Sequence, residues 1–284
     1  MVNQSRKISG PVRVIRPPSF SPAGIVRHFW DSRKYLDLLL TLSLHRVKVR
    51  YKQSILGISW AILQPVALMF IYTVIFSMVT KMPSNNQAYP VFVFSALLPW
   101  IFFNGALTTA SNSLVAHNYL ITKVYFPRDV LPLTYIIAAF FDFLISLVIL
   151  GLMMMWYSIV PTVYALWAIP VMLVAVLFTL GLSLLLSSLQ VSFRDIGLAL
   201  PLVMQIWMFA SPVVYPLSSV PTAYRSLYVL NPMVGVIENF RRTLLQGEPP
   251  DWDSFGVACA VTLVLFPIAY AYFKYREATM ADVI

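Results

Sequence analysis

Long, uninterrupted apolar runs dominate the hydrophobic pattern of the chain. Six segments are long and apolar enough to cross a bilayer, because a membrane-spanning helix needs about 20 residues. They lie at roughly 60–80, 91–113, 132–157, 163–189, 198–216 and 255–273. The pattern therefore predicts an all-α integral membrane protein with six transmembrane helices.

The segment that precedes the first span, residues 35–52, has an amphipathic pattern instead. At helical spacing an apolar face opposes a polar one: Leu36, Leu40, Leu44, Val47 and Tyr51 against Asp37, Thr41, His45, Lys48 and Lys52. Such a helix lies in the membrane interface, where long basic side chains reach the lipid phosphates. The pattern thus predicts a cytoplasmic tail and interface helix over 1–55, followed by a membrane domain over 56–284.

The connection between the fifth and sixth spans, roughly 217–254, is not a simple polar loop. It contains two apolar stretches with helical potential, Tyr224–Leu230 and Met233–Leu245, separated by Asn231 and Pro232. Each stretch is too short to cross a bilayer. Broken helices at membrane depth are tolerated where they pack against protein or line a hydrated cavity. We therefore predict two short re-entrant or surface helices near the outer face.

The distribution of charge predicts the orientation of these helices. The chain is 59% hydrophobic and 11% charged, with a formal net charge of +9. Eleven of its twenty basic residues precede Ala61, and Lys and Arg collect on the cytoplasmic side of membrane proteins. This one-sided basic flank indicates a membrane surface and not a nucleic acid as the partner. With an even number of spans, both termini are predicted to be cytoplasmic.

Asp142 is the ionisable residue that the pattern places well inside a span. A carboxylate there is costly unless it faces a partner or a hydrated cavity. A place in a transport path and a hydrogen-bonded contact with a neighbouring helix are therefore both open. Gln64 and Gln205 carry the same two alternatives.

The sequence contains few groups suited to catalysis. His28, His45 and His117 all fall on the predicted cytoplasmic side, and no cluster of His, Cys or carboxylates has metal-ligand spacing. The single cysteine, Cys259, lies in an apolar run, where we expect a packed small hydrophobe. A G-x-x-x-x-G-K-S/T loop for ATP phosphates is missing. We predict a transport subunit without a metal or cofactor of its own, driven by energy from elsewhere.

Three stretches carry a resemblance to a known family. In chain order they are Arg50-Tyr51-Lys52-Gln53-Ser54-Ile55-Leu56-Gly57 with Trp60-Ala61-Ile62-Leu63-Gln64-Pro65, then Ser192-Phe193-Arg194-Asp195, and Ser211-Pro212-Val213 through to Leu230-Asn231-Pro232-Met233. They resemble the permeases of polysaccharide-export ABC transporters, members of the ABC-2 type family. The order and spacing of these stretches against six spans carry the similarity, which extends over most of the chain from about Lys34 onward.

The resemblance implies a homodimeric channel that exports a lipid-linked glycan across the bacterial inner membrane. Among such glycans, the resemblance favours O antigen linked to undecaprenyl diphosphate as the substrate. Two copies of a separate ATP-binding cassette subunit would hold ATP and Mg and drive the export. Permeases for teichoic acid, capsule, drugs or lipids remain alternatives within transport, and a membrane-embedded glycan-modifying enzyme remains one outside it.

The resemblance also implies which residues line the path and which couple to the ATPase. In relatives the lining comes from spans one and five, which corresponds here to Tyr72, Phe76, Met204, Trp207, Met208 and Ser211. Asp142 joins these candidates because of its place inside a span. A cytoplasmic coupling helix between spans two and three corresponds to about 117–126, with Asn118, Tyr119, Lys123 and Tyr125 as the docking residues.

Basic residues at the cytoplasmic mouth are candidates for binding the lipid diphosphate. They are Arg46, Lys48, Arg50 and Lys52. Cationic side chains pair with phosphate oxygens through charge-assisted hydrogen bonds. General attraction to anionic lipid heads is the competing explanation.

Overall fold

A computed structural model describes residues 35–52, 54–85, 87–124, 126–277 and 279–280, so the predicted tail up to about residue 33 lies outside the described residues. Within these ranges every regular element is helical. The α-helices are α1 (Leu36–Lys52), α2 (Trp60–Tyr72), α3 (Tyr89–Ser111), α4 (Ser113–Ala116), α5 (Asn118–Lys123), α6 (Val130–Trp156), α7 (Ala168–Ser192), α8 (Asp195–Phe209), α9 (Thr222–Val229), α10 (Pro232–Arg241) and α11 (Trp252–Glu277). Short 3-10 and π-helical segments extend them: Gly57–Ser59, Thr73–Val79, Val163–Trp167, Leu217–Ser219 and Arg242–Gln246.

Five segments of the described chain are long and apolar enough to span a membrane, which makes the protein multi-pass. They are Gly57–Val79, Tyr89–Ser111, Val130–Trp156, Val163–Ser192 and Trp252–Glu277. The predicted fifth span corresponds to α8, which has only 15 residues and rises about 22 Å. Its helix stops at Phe209 because Pro212 disfavours helical geometry in the residue before it. The six-span count stays a prediction.

The helix α3 forms the centre of the bundle. It is buried along most of its length because it packs against α6, α7 and α10. Phe103 stacks on Phe178 of α7 with ring centroids 5.6 Å apart, and meets Trp207 of α8 edge to face at 5.2 Å. Such contacts hold membrane helices together through close van der Waals packing, since lipid offers no hydrophobic driving force between helices.

The helix α1 binds the bundle through a face that its amphipathic pattern did not single out. Leu39, Leu42 and Ser43 lie on the side that packs towards α6. The leucines of the predicted apolar face remain exposed: Leu36, Leu40 and Leu44. One face therefore attaches the helix to the protein, and a second is available to lipid.

The helices α9 and α10 lie where the sequence predicts two short helices. Asn231 separates them and caps α10, because its side-chain oxygen accepts a hydrogen bond from the Met233 N–H at 3.1 Å. Every residue of α10 is buried. The helix crosses α11 so closely that a Cβ atom on Gly235 would overlap the Ser254 carbonyl oxygen. Whether the two helices are re-entrant stays a prediction.

Candidate substrate path and coupling surface

Three of the predicted path residues cluster around a single contact between the first span and α8. The rings of Tyr72 and Phe76 are edge to face, with centroids 6.0 Å apart. The Tyr72 hydroxyl donates to the Met208 sulfur at 3.4 Å. All three side chains are half-buried on the main core, so they combine anchored positions with accessible aromatic and thioether surface. The chain switches from α- to π-helix at Thr73–Val79, a local change that is frequent at functional sites.

Trp207 and Ser211 belong to a polar network centred on Asn231. Trp207 Nε1 donates to Asn231 Oδ1 at 3.0 Å. The Asn231 amide nitrogen donates to the Ser211 hydroxyl and to the Ala210 carbonyl oxygen, each at 3.0 Å. Asn231 thereby joins the two ends of the third stretch that carries the family resemblance, after the end of α8 and before the start of α10. Sequence reasoning quoted this residue without assigning it a role, although an Asn before a Pro is a recognisable helix cap.

The predicted path residues differ in accessibility. Met204 and Ser211 are covered by protein, at 2% and 0% exposure, whereas Trp207 and Met208 are half-buried. Within one protomer, the side chains of Met204 and Ser211 are therefore not accessible to a substrate.

Asp142 pairs with residues at the end of α1. Its carboxylate forms an ion pair with Arg50 and accepts a hydrogen bond from the Tyr51 hydroxyl at 2.5 Å. Because Asp142 lies in the middle of α6, these partners compensate a carboxylate at a depth where an isolated one would be costly. The pair borders a cavity of about 490 Å³, the path cavity, whose lining includes Met208 and the polar side chains Gln64 and Asn104.

The structure divides the four basic candidates for lipid phosphate into two pairs. Lys48 and Lys52 are exposed, as contact with lipid head groups requires. Arg46 and Arg50 line a cavity between α1 and α6, although Arg50 is also exposed. The sequence pattern treated the four as one set, because it does not reveal which side chains turn inward.

Arg46 joins α1 to α6 and to the segment before α5. Its Nε donates to the Thr134 hydroxyl at 2.9 Å, and its Cζ atom lies 3.4 Å from the centre of the Tyr135 ring. A terminal nitrogen lies 3.1 Å from His117 Nε2, and His117 Nδ1 lies 2.9 Å from the Ser113 carbonyl oxygen. A guanidinium can only donate, so His117 Nε2 accepts and the ring proton is on Nδ1. Burial, with a contribution from the Arg46 charge, lowers the pKa of His117 and keeps the ring neutral.

The predicted coupling residues lie on the exposed side of α5. Asn118, Tyr119 and Lys123 are exposed, Tyr119 to 74%. Ile121 on the opposite side is buried and anchors the helix to a second core cluster. Tyrosine is enriched in protein–protein interfaces relative to the rest of the protein surface. Tyr125, the fourth predicted residue, lies outside the described residues.

Arg241 is a buried charge within the second of the two predicted short helices, and the sequence analysis assigned it no role. It is fully buried, forms an ion pair with Glu238, and donates to the Pro212 carbonyl oxygen at 3.2 Å. Its Cζ atom lies 3.9 Å from the centre of the Phe92 ring. Arg241 therefore ties α10 to the turn after α8 and to α3. The i, i+3 spacing of Glu238 and Arg241 is the sequence signal that could have found the pair.

The fold and the polar contacts together define a class of protein. It is a multi-pass helical membrane protein with ion pairs and aromatic side chains inside the bundle. Among the described residues, no group of three or more His, Cys, Asp or Glu side chains could hold a metal ion.

The chain belongs to the ABC-2 type transporter family, whose profile matches residues 37–245. It is 32% identical to the O-antigen export system permease protein RfbA of Myxococcus xanthus, over 91% of this chain and 99% of that protein. It is 28% identical to the protein of the same name from Klebsiella pneumoniae, over 85% and 94%. It is 27% identical to the polysialic acid transport protein KpsM of Escherichia coli, over 84% and 93%. The resemblance inferred from the three motifs is confirmed.

Proposed function

We propose that this chain is the permease of an ATP-driven exporter that moves lipid-linked polysaccharide, most of all O antigen, across the bacterial inner membrane. The observation that carries this proposal is the similarity to an O-antigen export permease over 91% of this chain and 99% of the relative. Export of a capsule-type glycan is the second candidate, because relatives named for polysialic acid transport match nearly as much of the chain.

The proposed topology has six spans, with both termini cytoplasmic. The amphipathic helix and tail, 1–55, precede the membrane domain, 56–284. Five helices long enough to span support this arrangement, and α8 with the turn after it would supply the fifth span. The helices α9 and α10 would be re-entrant from the outer side, since α10 is buried throughout and crosses α11 closely at Gly235.

The functional unit is proposed to be a homodimer. The first span and α8 pack little within the protomer and expose large apolar side chains: Phe70, Met78, Leu198 and Ile206. These are the elements that carry Tyr72, Phe76, Trp207 and Met208. Bringing two copies together along them would enclose the half-buried rings as a path, with the path cavity beside Asp142 opening onto it.

ATP and Mg would be bound by two copies of a separate ATP-binding cassette subunit. The exposed side of α5, with Asn118, Tyr119 and Lys123, is proposed as its docking site, together with Tyr125 beyond it. Two observations support a separate ATP-binding subunit. The chain belongs to the ABC-2 type transporter family, and its own sequence has no phosphate-binding loop.

Export is tested by deleting the gene for this chain and following its glycan. The deletion strain should lose surface O antigen and accumulate lipid-linked polymer inside the cell, and the intact chain should restore export. Inactivating the ATP-binding subunit should give the same phenotype. A deletion strain that keeps its surface glycan and accumulates no polymer would rule out the exporter, and accumulation of a capsule-type polymer would favour the second candidate.

The homodimer is tested by disulfide crosslinking in a Cys259→Ala background, because Cys259 is the only cysteine. A cysteine introduced at Ile206 should crosslink two copies in membranes. Phe94→Cys is the matched control, since Phe94 is fully buried. Crosslinking at neither position in the assembled transporter, or equal crosslinking at both, would contradict the proposed contact.

A further inference from the structure

A second cavity, the cationic cavity, lies between α1, the segment that carries His117, and α6. It has a volume of about 550 Å³. Apart from the phenol of Tyr135, its charged or titratable lining residues are all nitrogen bases: His45, Arg46, Arg50 and His117. Among the described residues that line it, none is a carboxylate. The nearby Asp142 lines the path cavity, on the other side of Arg50.

The rest of the cationic cavity is mostly apolar. Its walls are formed by Leu42, Val49, Leu120, Leu131, Tyr135 and Ala138. Such walls contribute nothing to the binding of a small soluble anion. They favour an amphiphile, because its charged head can contact the cations while its hydrocarbon chain covers the leucines.

Both arginines retain donors for a ligand. Arg46 uses Nε and one terminal nitrogen for Thr134 and His117, and Arg50 pairs with Asp142 through one terminal nitrogen. A guanidinium carries more N–H groups than these contacts use. The Arg50 side chain is 38% exposed, so its remaining donors are accessible from the cavity.

We propose that the cationic cavity binds the phosphate head of a lipid, with Arg46 and Arg50 on the phosphate oxygens and the hydrocarbon chain along the leucines. Planar guanidinium groups match phosphate oxygens better than ammonium groups do. Apolar walls strengthen these contacts by lowering the local dielectric. Two lipids share this chemistry, a polyprenyl diphosphate and an anionic phospholipid. The choice of the polyprenyl diphosphate rests on the proposed function.

The position of the cavity connects the ligand to the coupling surface. His117 lines the cavity and directly precedes α5, and Arg46 contacts His117. A head group on Arg46 would thus lie one side chain away from the helix proposed to dock on the ATPase. The exposed Lys48 and Lys52 have no part in this site.

The test is equilibrium binding of labelled farnesyl diphosphate to the full-length chain with its ATP-binding partner, in nanodiscs of phosphatidylcholine. Inorganic diphosphate and farnesol serve as head-only and chain-only competitors, and we expect each to compete far less well than unlabelled farnesyl diphosphate. Discs that contain phosphatidylglycerol distinguish the two sources. If phosphatidylglycerol in the disc strongly reduces the binding of farnesyl diphosphate, an anionic phospholipid is the ligand. If it reduces this binding only weakly, the polyprenyl diphosphate is the ligand.

The variants Arg46→Gln and Arg50→Gln should each weaken binding about tenfold, the loss expected for one charge-assisted contact. Arg194→Gln is the matched control, because Arg194 is exposed and does not line the cavity, and the affinity of this variant should stay within about twofold of the unsubstituted chain. Thermal unfolding of each variant shows whether it is folded, and the two arginines give independent tests.

Equal affinity in the Arg50→Gln, Arg46→Gln and Arg194→Gln proteins would overturn the proposed site, as would full competition by inorganic diphosphate. This outcome is distinguishable from failure of the proposed function. A chain that exports glycan but shows no arginine-dependent binding refutes the cavity alone. A chain that binds in the predicted way in a strain whose export does not depend on it refutes the exporter alone.

Discussion

The first two spans of this protein are similarly apolar but differently packed. In α3, every residue from Val91 to Trp100 and several of those that follow are buried, and the helix packs against three neighbouring helices. In α2 the buried residues are only Ala61 and Pro65, and the π-helical end of that span has none. Similar hydropathy therefore does not imply similar surroundings. A lipid-facing or partner-facing helix and a central one are both apolar, because lipid and protein interior are alike as solvents.

The difference in packing separates two regions of the protein with different tasks. The region around α3, α10 and α11 is cross-linked by buried polar contacts, such as those of Arg241 and Asn239. The region around the first span and α8 offers half-buried rings and exposed apolar surface instead. We expect substitutions in the packed region to reduce stability, and substitutions in the sparse region to reduce transport.

The largest expected effect is on the buried ion pair of Arg241. Arg241→Met leaves the Glu238 carboxylate buried without its partner, which costs about 3–5 kcal/mol of stability. Arg242→Met is the adjacent control, since Arg242 forms a partly exposed ion pair with Glu248 at 2.8 Å, and about 1 kcal/mol or less is expected. Thermal unfolding of the purified proteins measures both. Equal losses of stability in the two variants would mean that the buried ion pair of Arg241 stabilises the fold no more than the partly exposed pair of Arg242.

A smaller loss of stability is expected at the crossing of α10 and α11. A Cβ atom on Gly235 would meet the Ser254 carbonyl oxygen and lie 2.9 Å from Ala258 Cβ, so Gly235→Ala should destabilise by about 1–3 kcal/mol through overpacking. A Cβ on Gly256 would meet nothing within 4 Å, so Gly256→Ala should be neutral or stabilising by up to about 1 kcal/mol. If denaturation curves of the two variants coincide, the close crossing is wrong.

In the sparse region the effect should appear in transport and not in folding. Tyr72→Leu removes a ring from the proposed path, and we expect stability to change by less than about 1 kcal/mol. Export should fall about two- to tenfold, the value of one aromatic contact. Phe70→Leu removes a ring that is 66% exposed two residues away, and export should be affected less. Pulse-labelling of surface glycan compares them, and a larger defect for Phe70→Leu would place the path on the other side of the span.

The smallest expected effect is a pH dependence that arises from His117. Its pKa is lowered in the folded protein by burial, assisted by the charge of Arg46, while Tyr135 packs against its ring. Protonation therefore favours the unfolded chain. The stabilisation is complete above the unfolded pKa of about 6.5 and is lost as the pH falls below it towards the lowered folded pKa. We compare the thermal unfolding midpoint at pH 7.5 and at pH 5.5, on the order of one unit on each side of that pKa. The midpoint should fall more for the native chain than for His117→Gln.

Sequence reasoning located most of the helices because each long apolar run has few alternatives in lipid. Backbone groups must be paired within the segment, so a run of sufficient length becomes a helix. The same reasoning extended the predicted fifth span to residue 216, beyond the end of α8 at Phe209, because hydropathy does not detect the turn before Pro212. It also located α9 and α10 through Asn231 and Pro232, since cap and proline are local signals.

The site was predictable in part. Tyr72, Phe76 and Met208 were chosen from the family resemblance, and the structure brings them together. The role of Asn231 was missed, although its place in a motif was noticed. No pattern at helical spacing indicated that Arg46 turns towards His117, because the two are 71 residues apart.

The sequence by itself determined that this protein is helical and membrane-embedded, and its motifs determined the family. Hydropathy and local motifs can be read from neighbouring residues, so neither requires knowledge of the fold. Only the tertiary structure decided which charges meet: Asp142 with Arg50, Arg46 with His117, and Arg241 with the turn at Pro212. These pairings join residues that are 92, 71 and 29 positions apart. A buried charge is stabilised by whatever partner the packing of helices places beside it, and that packing is a property of the whole chain.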